Sequence, residues 1–258
     1  MRKLALSDEI LMKVEKPARY IGNELNSIVK DKDSVDIRVA MCFPDVYEIG
    51  MSHLGIQILY DMFNRREDTW CERVYSPWAD LDEIMRKENI PLFTLETQSP
   101  VKNMDFLGIT IQYEMCYTNI LQVLDLAQIP LLAKDRTEGH PIVMGGGPCT
   151  YNPEPIADFF DFFYIGEGET QYDAILDMYK EMKKNGASRA DILHAIAKIE
   201  GMYVPSLYEV TYKEDGTIQD FYPIWDGAPA TIKKQVVGDL SEVFYPKKPL
   251  VPYIKVTQ

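Results

Sequence analysis

Between His140 and Thr170 the chain reads HPIVMGGGPCTYNPEPIADFFDFFYIGEGET, two short apolar runs each closed by glycines. Pro141-Ile-Val-Met144 stops at Gly145-Gly146-Gly147-Pro148, and Phe162-Phe-Tyr-Ile165 stops at Gly166-Glu167-Gly168-Glu169. Between them lies a helix-like segment with Pro153 and Pro155 near its start and Ile156, Ala157 and Phe159 on one apolar face. Short apolar runs ended by glycine are what strands buried on both faces look like, and such strands are typically parallel. In open α/β sheets the ligand crevice lies outside the carboxyl ends of the strands. Two glycine loops on neighbouring strands therefore predict a ligand-binding rim.

The rest of the chain supplies the sheet around that pair. Ile37–Phe43 reads as a first strand, followed by a loop and a helix from His53 to Phe63 with Leu54, Ile58, Leu59 and Met62 at helical spacing. Cys71–Tyr75 is a weaker strand and Trp78–Asn89 a helix. Ile90–Leu95 is a short extended piece, Phe106–Ile111 a strand, Tyr117–Ala127 a helix, and Asp173–Lys184 the helix after the fifth strand. Strands near 37, 71, 106, 141 and 162 with helices between them predict a doubly wound, mainly parallel five-stranded α/β sheet of the flavodoxin or Rossmann type. Three regions are expected: a helical lead-in over 1–35 (Leu4, Ile10, Leu11 and Val14 as an amphipathic helix), the α/β domain over 36–186, and an extension over 187–258. In the extension, Ser188 caps a helix to Ile199, Gly201–Pro205 is a strand or edge, and Tyr208–Ile218 is a hairpin around Asp215-Gly216. The final residues, Val251–Gln258, read as a strand-like piece with no cap, as though more chain followed.

A formal charge of -13 argues against a duplex nucleic-acid binder, which needs a lysine and arginine surplus. No apolar run approaches the length of a membrane-spanning helix and the N-terminus lacks a signal-peptide core, so a cytoplasmic, membrane-free protein is expected. The four cysteines, 42, 71, 116 and 149, fit neither a zinc ribbon nor a redox pair and read as small buried hydrophobes.

Three candidate sites follow. Pro44, Asp45, Ser52, His53 and Gly55 lie in the first strand-to-helix loop, which could cradle a phosphate or cofactor tail, or be a tight turn with Ser52 as helix cap. No GxGxxG fingerprint is present. Gln112 and Tyr113 follow the third strand, as ligand contacts or an ordinary loop. Gly145, Gly146, Gly147, Gly166, Glu167, Gly168 and Glu169 form the rim proper, because glycine suits close backbone approach or positive φ. Glu167 and Glu169 could pass for paired catalytic carboxylates, but no nucleophile, triad, P-loop or metal-ligand set accompanies them. This segment alone is expected to perform no chemistry and to hold no metal of its own.

The stretches FPDVYEIGMSHLGIQILY (Phe43–Tyr60) and GGGPCTYNPEPIADFFDFFYIGEGE together resemble the N-terminal part of cobalamin-binding-domain radical S-adenosylmethionine (SAM) proteins, most of all an uncharacterised group among them. The matching residues are Gly146, Gly147, Thr150, Pro153, Glu154 and Gly166–Glu169, and the resemblance spans most of 36–258. It implies a Rossmann-like cobalamin-binding-type domain ahead of a radical SAM barrel that carries a [4Fe–4S] cluster and S-adenosylmethionine. The CxxxCxxC run that holds such a cluster is absent here, so that chemistry would belong to a barrel in cis beyond this chain. The DxHxxG motif that gives cobalt a histidine ligand is absent too; Ser52-His53-Leu54-Gly55 occupies the corresponding loop. Two alternatives stand beside corrinoid binding: a non-catalytic scaffold or interaction module that has lost the cofactor, and a nucleotide-binding α/β protein.

Overall fold

The structure is a computed structural model that describes residues 6–241, 243 and 245–252. Its centre is a six-stranded sheet in the order β2-β1-β3-β4-β5-β6. The strands are β1 (Ile37–Phe43), β2 (Thr69–Tyr75), β3 (Phe106–Thr110), β4 (Ile142–Gly146), β5 (Phe162–Tyr164) and β6 (Met202–Tyr203). The first five are parallel and β6 runs antiparallel to β5. The expected count of five is therefore one short: the sixth strand comes from Gly201–Pro205, in the segment assigned to the extension. Its two residues are too few for any periodic signal, and pairing with Phe163 and Tyr164 defines it.

Alternation along β1 sets the two layers. Ile37, Val39, Met41 and Phe43 face α3 (Leu54–Arg65), α6 (Tyr172–Lys184) and α7 (Arg189–Ala197). Ala40 and Cys42 face α4 (Ala79–Glu88) and α5 (Tyr117–Leu126). In α6, Tyr172, Ile175, Leu176 and Tyr179 fall on one stripe and are buried, and α7 opens with a capping box between Ser188 and Asp191.

Local departures from expectation have local causes. The lead-in helix shrinks to α1 (Asp8–Leu11), capped by Ser7; Leu4 lies outside the described residues, as does 253–258 of the strand-like tail. The loop after β1 contains a short helix, α2 (Tyr47–Gly50). β4 does not stop at Met144 but runs through Gly145 and Gly146. Between β4 and β5, prolines at 148, 153 and 155 remove backbone donors, and the expected helix becomes two 3-10 turns, Pro148–Tyr151 and Glu154–Phe159. The hairpin forms as β7 (Tyr208–Tyr212) and β8 (Ile218–Pro223), with an irregularity at Thr211/Tyr212. Among the described residues no helix is long and apolar enough to cross a membrane.

Candidate functional site

The strand order 2-1-3-4-5 places a switch point between β1 and β3, where connections leave in opposite directions and a crevice opens at the carboxyl ends. A cleft of about 150 Å³ lies there. Its walls come from Met41, Gly108, Thr110 and Met144 of the strands, Ile56 and Leu59 of α3, and Tyr164 and Tyr172. Of the residues expected from sequence, it brings together His53, Gly55, Gln112, Gly146, Gly147, Gly166, Gly168 and Glu169. Pro44, Asp45, Ser52, Tyr113, Gly145 and Glu167 do not line it.

The residues left out have other work. Asp45 receives the Tyr113 hydroxyl at 2.6 Å and the Val46 amide at 2.7 Å, while its carbonyl accepts from the Ser76 amide. Asn119 donates to the carbonyl of Pro44 at 2.9 Å. Together they brace the loops after β1, β2 and β3. The bond to Asp45 and then burial push the Tyr113 phenol up to about 12, so it stays a neutral donor. Ser52 is not the cap of α3; it is exposed in the turn before it. The cap is His53, whose Nδ1 accepts from the Ile56 amide at 3.3 Å. An Nδ1 that accepts leaves the hydrogen of the neutral ring on Nε2. Burial lowers the pKa of His53, keeping it in that neutral form. In this tautomer Nε2 carries a hydrogen, with the Gln112 side chain as its bonding neighbour, rather than a metal-ligating lone pair.

The glycines divide in the same way. A Cβ on Gly145 would meet the Phe163 ring at 2.6 Å, so this glycine exists for packing inside the sheet. Gly147 has φ +104 and lies against the Ile111 carbonyl. Gly166 has φ +122 and abuts the backbone of Gln235, which bridges to it in parallel: the Gln235 amide donates to Ile165 and the Glu167 amide donates back to Gln235. Glu167 also accepts from the Val237 amide. The tail around Gln235 is thus strapped to the loop after β5, and Glu167 is used in the strapping. A Cβ on Gly146, by contrast, would meet nothing nearer than the Tyr172 hydroxyl at 3.8 Å. Of the glycines lining the cleft, Gly146 is the open one: a Cβ on Gly55 would press on the His53 ring at 3.0 Å and one on Gly168 on Leu59 and Tyr172 at 3.1 Å, while Glu169 adds a half-buried carboxylate.

The loops of the cleft are legible in the sequence; its floor is not. Met41 and Met144 send their ends toward Gly108, whose Cβ would meet Met144 Cε at 2.7 Å and Met41 Sδ at 3.2 Å. A glycine inside an apolar strand, Phe106-Leu-Gly-Ile-Thr110, was the available signal for that close approach. The segments that follow the strands' carboxyl ends carry large apolar side chains exposed to solvent, outside the cleft lining itself: Ile49 and Leu54 after β1, Trp78 after β2, Met115 after β3 and Tyr151 after β4, with Met115 86% exposed. Several exposed apolar side chains on one edge mark a surface suited to covering. Among the described residues no group of three or more His, Cys, Asp or Glu could hold a metal ion.

Chemically, the cleft takes a ring-sized group. An engineered cavity of about 150 Å³ accommodates benzene, whereas whole drug-sized ligands need roughly 300–1,000 Å³. A larger molecule would insert one end and lay the remainder across the apolar rim.

An uncharacterised protein of Methanocaldococcus jannaschii is 30% identical over 134 residues, covering 51% of this chain and 24% of its own length. Among solved structures, the cobalamin-dependent S-adenosylmethionine radical enzyme OxsB, determined with aqua-cobalamin bound, superposes with a TM-score of 0.40 and 11% identity, over 76% of this chain and 26% of that one. That likeness is too slight to carry residue roles across. The chain spans about a quarter of the length of each. Residues 55–205, more than half of the chain and the part that runs from α3 through β6, match the family of N-terminal domains of radical SAM proteins, and the chain belongs to that family.

Proposed function

We propose that this chain is the corrinoid-holding domain of a radical SAM protein, presenting its cleft and apolar rim to a radical SAM domain linked in cis. The observation that carries the reading is the open glycine face at the switch point. Gly146 points its missing side chain into free space above a floor of methionines, and exposed apolar residues stand in the segments that follow the strands' carboxyl ends. A corrinoid fits this arrangement as a ligand held by backbone and apolar contacts, with one ring-sized end in the cleft. His53 does not fit as its metal ligand, because its Nδ1 is occupied as a helix cap. When bound, the corrinoid supplies alkyl-carrying cobalt; the [4Fe–4S] cluster and S-adenosylmethionine belong to the linked domain. This chain's own residues bind, orient and exclude water. The tail strapped at Gln235 is the path toward that domain; further along it, the carbonyls of Pro249 and Leu250 accept from Asn26 of the lead-in.

The test is titration of the purified domain with hydroxocobalamin, followed by visible absorption and calorimetry. Saturable binding with a micromolar or tighter Kd is expected. Gly146→Val should weaken it at least about tenfold by filling the cleft without unfolding the chain. Saturable binding that ignores Gly146→Val would put the corrinoid elsewhere. No binding by the folded domain, alone or joined to its radical SAM domain, would favour the scaffold reading, which the engagement of Gly166 and Glu167 in the strap also suits. Parallel titration with nucleotides tests the nucleotide-binding alternative.

A further inference from the structure

Beneath the rim, three buried polar side chains border one small cavity. Arg19 Nη1, the Tyr75 hydroxyl and Ser76 Oγ are each buried and none has a hydrogen-bond partner among the described residues. Their residues are 9%, 7% and 5% exposed. The cavity their residues line, of about 20 Å³, is walled otherwise by Leu81, Leu92 and Phe93 and by Tyr20 and Tyr47, whose hydroxyls are bonded to Asp80 and the Trp78 amide and to Glu24. The cavity lies where the lead-in, the end of β2 and α4 come together.

Leaving three such groups unpaired would cost the desolvation of each. A water molecule needs at least roughly 10–15 Å³ of space of this kind and two to four polar partners. The cavity offers both, and a volume of about 20 Å³ has room for only one such molecule. The charge of Arg19 is already met, since its Nε donates to both carboxylate oxygens of Glu48 at 2.9 and 2.8 Å. What Nη1 lacks is an acceptor, not a counter-ion. Glu24 stands on the far side of Tyr47, which donates to it at 3.0 Å, and further disfavours an anion.

We propose that this cavity is a site for one permanently held water, which accepts from Arg19 Nη1 and shares its remaining bonds with the hydroxyls of Tyr75 and Ser76. Such a water is part of the fold rather than solvent. It fastens the lead-in to the edge of the sheet directly under the rim. The Arg19 guanidinium lies 5.5 Å from the centre of the Trp78 ring and grips Glu48 of α2, so the water sets the posture of two rim loops at once. The proposal is independent of whether a corrinoid binds above.

A crystal structure of the chain at a resolution that shows ordered solvent tests it. One peak is expected at roughly 2.7–3.2 Å from all three atoms, unchanged in crystals soaked in bromide. An empty cavity, an anomalous bromide peak there, or Arg19 Nη1 turned to a protein acceptor would each overturn the proposal. In solution, Ser76→Ala and Tyr75→Phe should each lower the folding equilibrium constant about tenfold. The double variant should lose clearly less than the product of the two, because both act through the same water. Strictly multiplicative losses would count against it.

Discussion

Glycines that look alike in the sequence do three different jobs at the rim. Gly145 makes room for a neighbouring ring, Gly147 and Gly166 take backbone conformations with positive φ, and Gly146 opens onto the cleft. Gly166→Ala should therefore destabilise the chain by about 1–3 kcal/mol, since the new Cβ would lie 2.2 Å from the Gln235 carbonyl oxygen at a φ that side chains rarely adopt. Gly146→Val should stay within about 0.5 kcal/mol of the native value. Urea denaturation of the two variants checks both; equal losses would mean that the rim glycines are not divided in this way. The pattern of glycine after apolar run was legible as a rim because it depends only on order along the chain. Which glycine faces the ligand was not, because that depends on where a Cβ would point against a neighbour distant in sequence. Ser52 and His53 show the same limit: the residue types favoured Ser52 as the cap, and the one-residue shift follows from α3 starting at Leu54.

Among the elements, β2 shows how an edge strand can be buried while carrying charge. Its sequence, Thr-Trp-Cys-Glu-Arg-Val-Tyr, reads as a weak strand because Glu72 and Arg73 suggest solvent, yet all seven residues are buried. The side chain of Arg73 donates to Glu24 of the lead-in through two nitrogens at 2.7 Å and to Glu96 through Nε at 2.7 Å. Glu72 pairs with Arg38 of β1 and accepts from Thr94 and Thr97. The lead-in and the 90–100 segment thus cover the edge and meet its charges, a relation between residues up to 49 positions apart that no local pattern discloses. Removing Arg73 leaves two carboxylates without their partner inside the protein. Arg73→Met should cost about 3–5 kcal/mol. Arg65→Met, which breaks a largely exposed pair with Asp61, should cost less than about 1 kcal/mol. Chemical denaturation separates them, and similar small losses would show that the buried network contributes little. The strand β3, apolar as far as Ile109, and the helices α5 and α6 needed no such relation and stand close to where periodicity put them.

For the whole molecule, the surplus of acidic residues and the placement of a few of them set the response to pH. At neutral pH the net charge of -13 is mutually repulsive, and mild acidification toward the pI near 4.7 relieves it. Below that, paired carboxylates decide. Burial raises the pKa of Asp68, but hydrogen bonds from Arg66, Lys180 and Thr69 outweigh it and hold the carboxyl well below the usual range. Glu48, hydrogen-bonded first of all by Arg19, is pushed down to about 2; its side chain is 40% exposed, so solvent screens much of that effect. A carboxylate with a depressed folded-state pKa contributes its full stability above its unfolded value, near 3.9 for aspartate and 4.3 for glutamate, and loses it as pH falls through the folded value. Stability should therefore hold or rise slightly from pH 7 to about 5, then fall steeply below about 4 as these groups take up protons in the unfolded chain first. Asp68→Asn should lower stability at neutral pH and flatten the acid limb, because the group that binds an extra proton on unfolding is gone. Urea midpoints at half-unit intervals from pH 7 to 3 would show it. An acid limb as steep in Asp68→Asn as in the native chain would mean that the fold's sensitivity to acid resides in other carboxylates, with the buried Glu24 and its partner Arg73 the first pair to test.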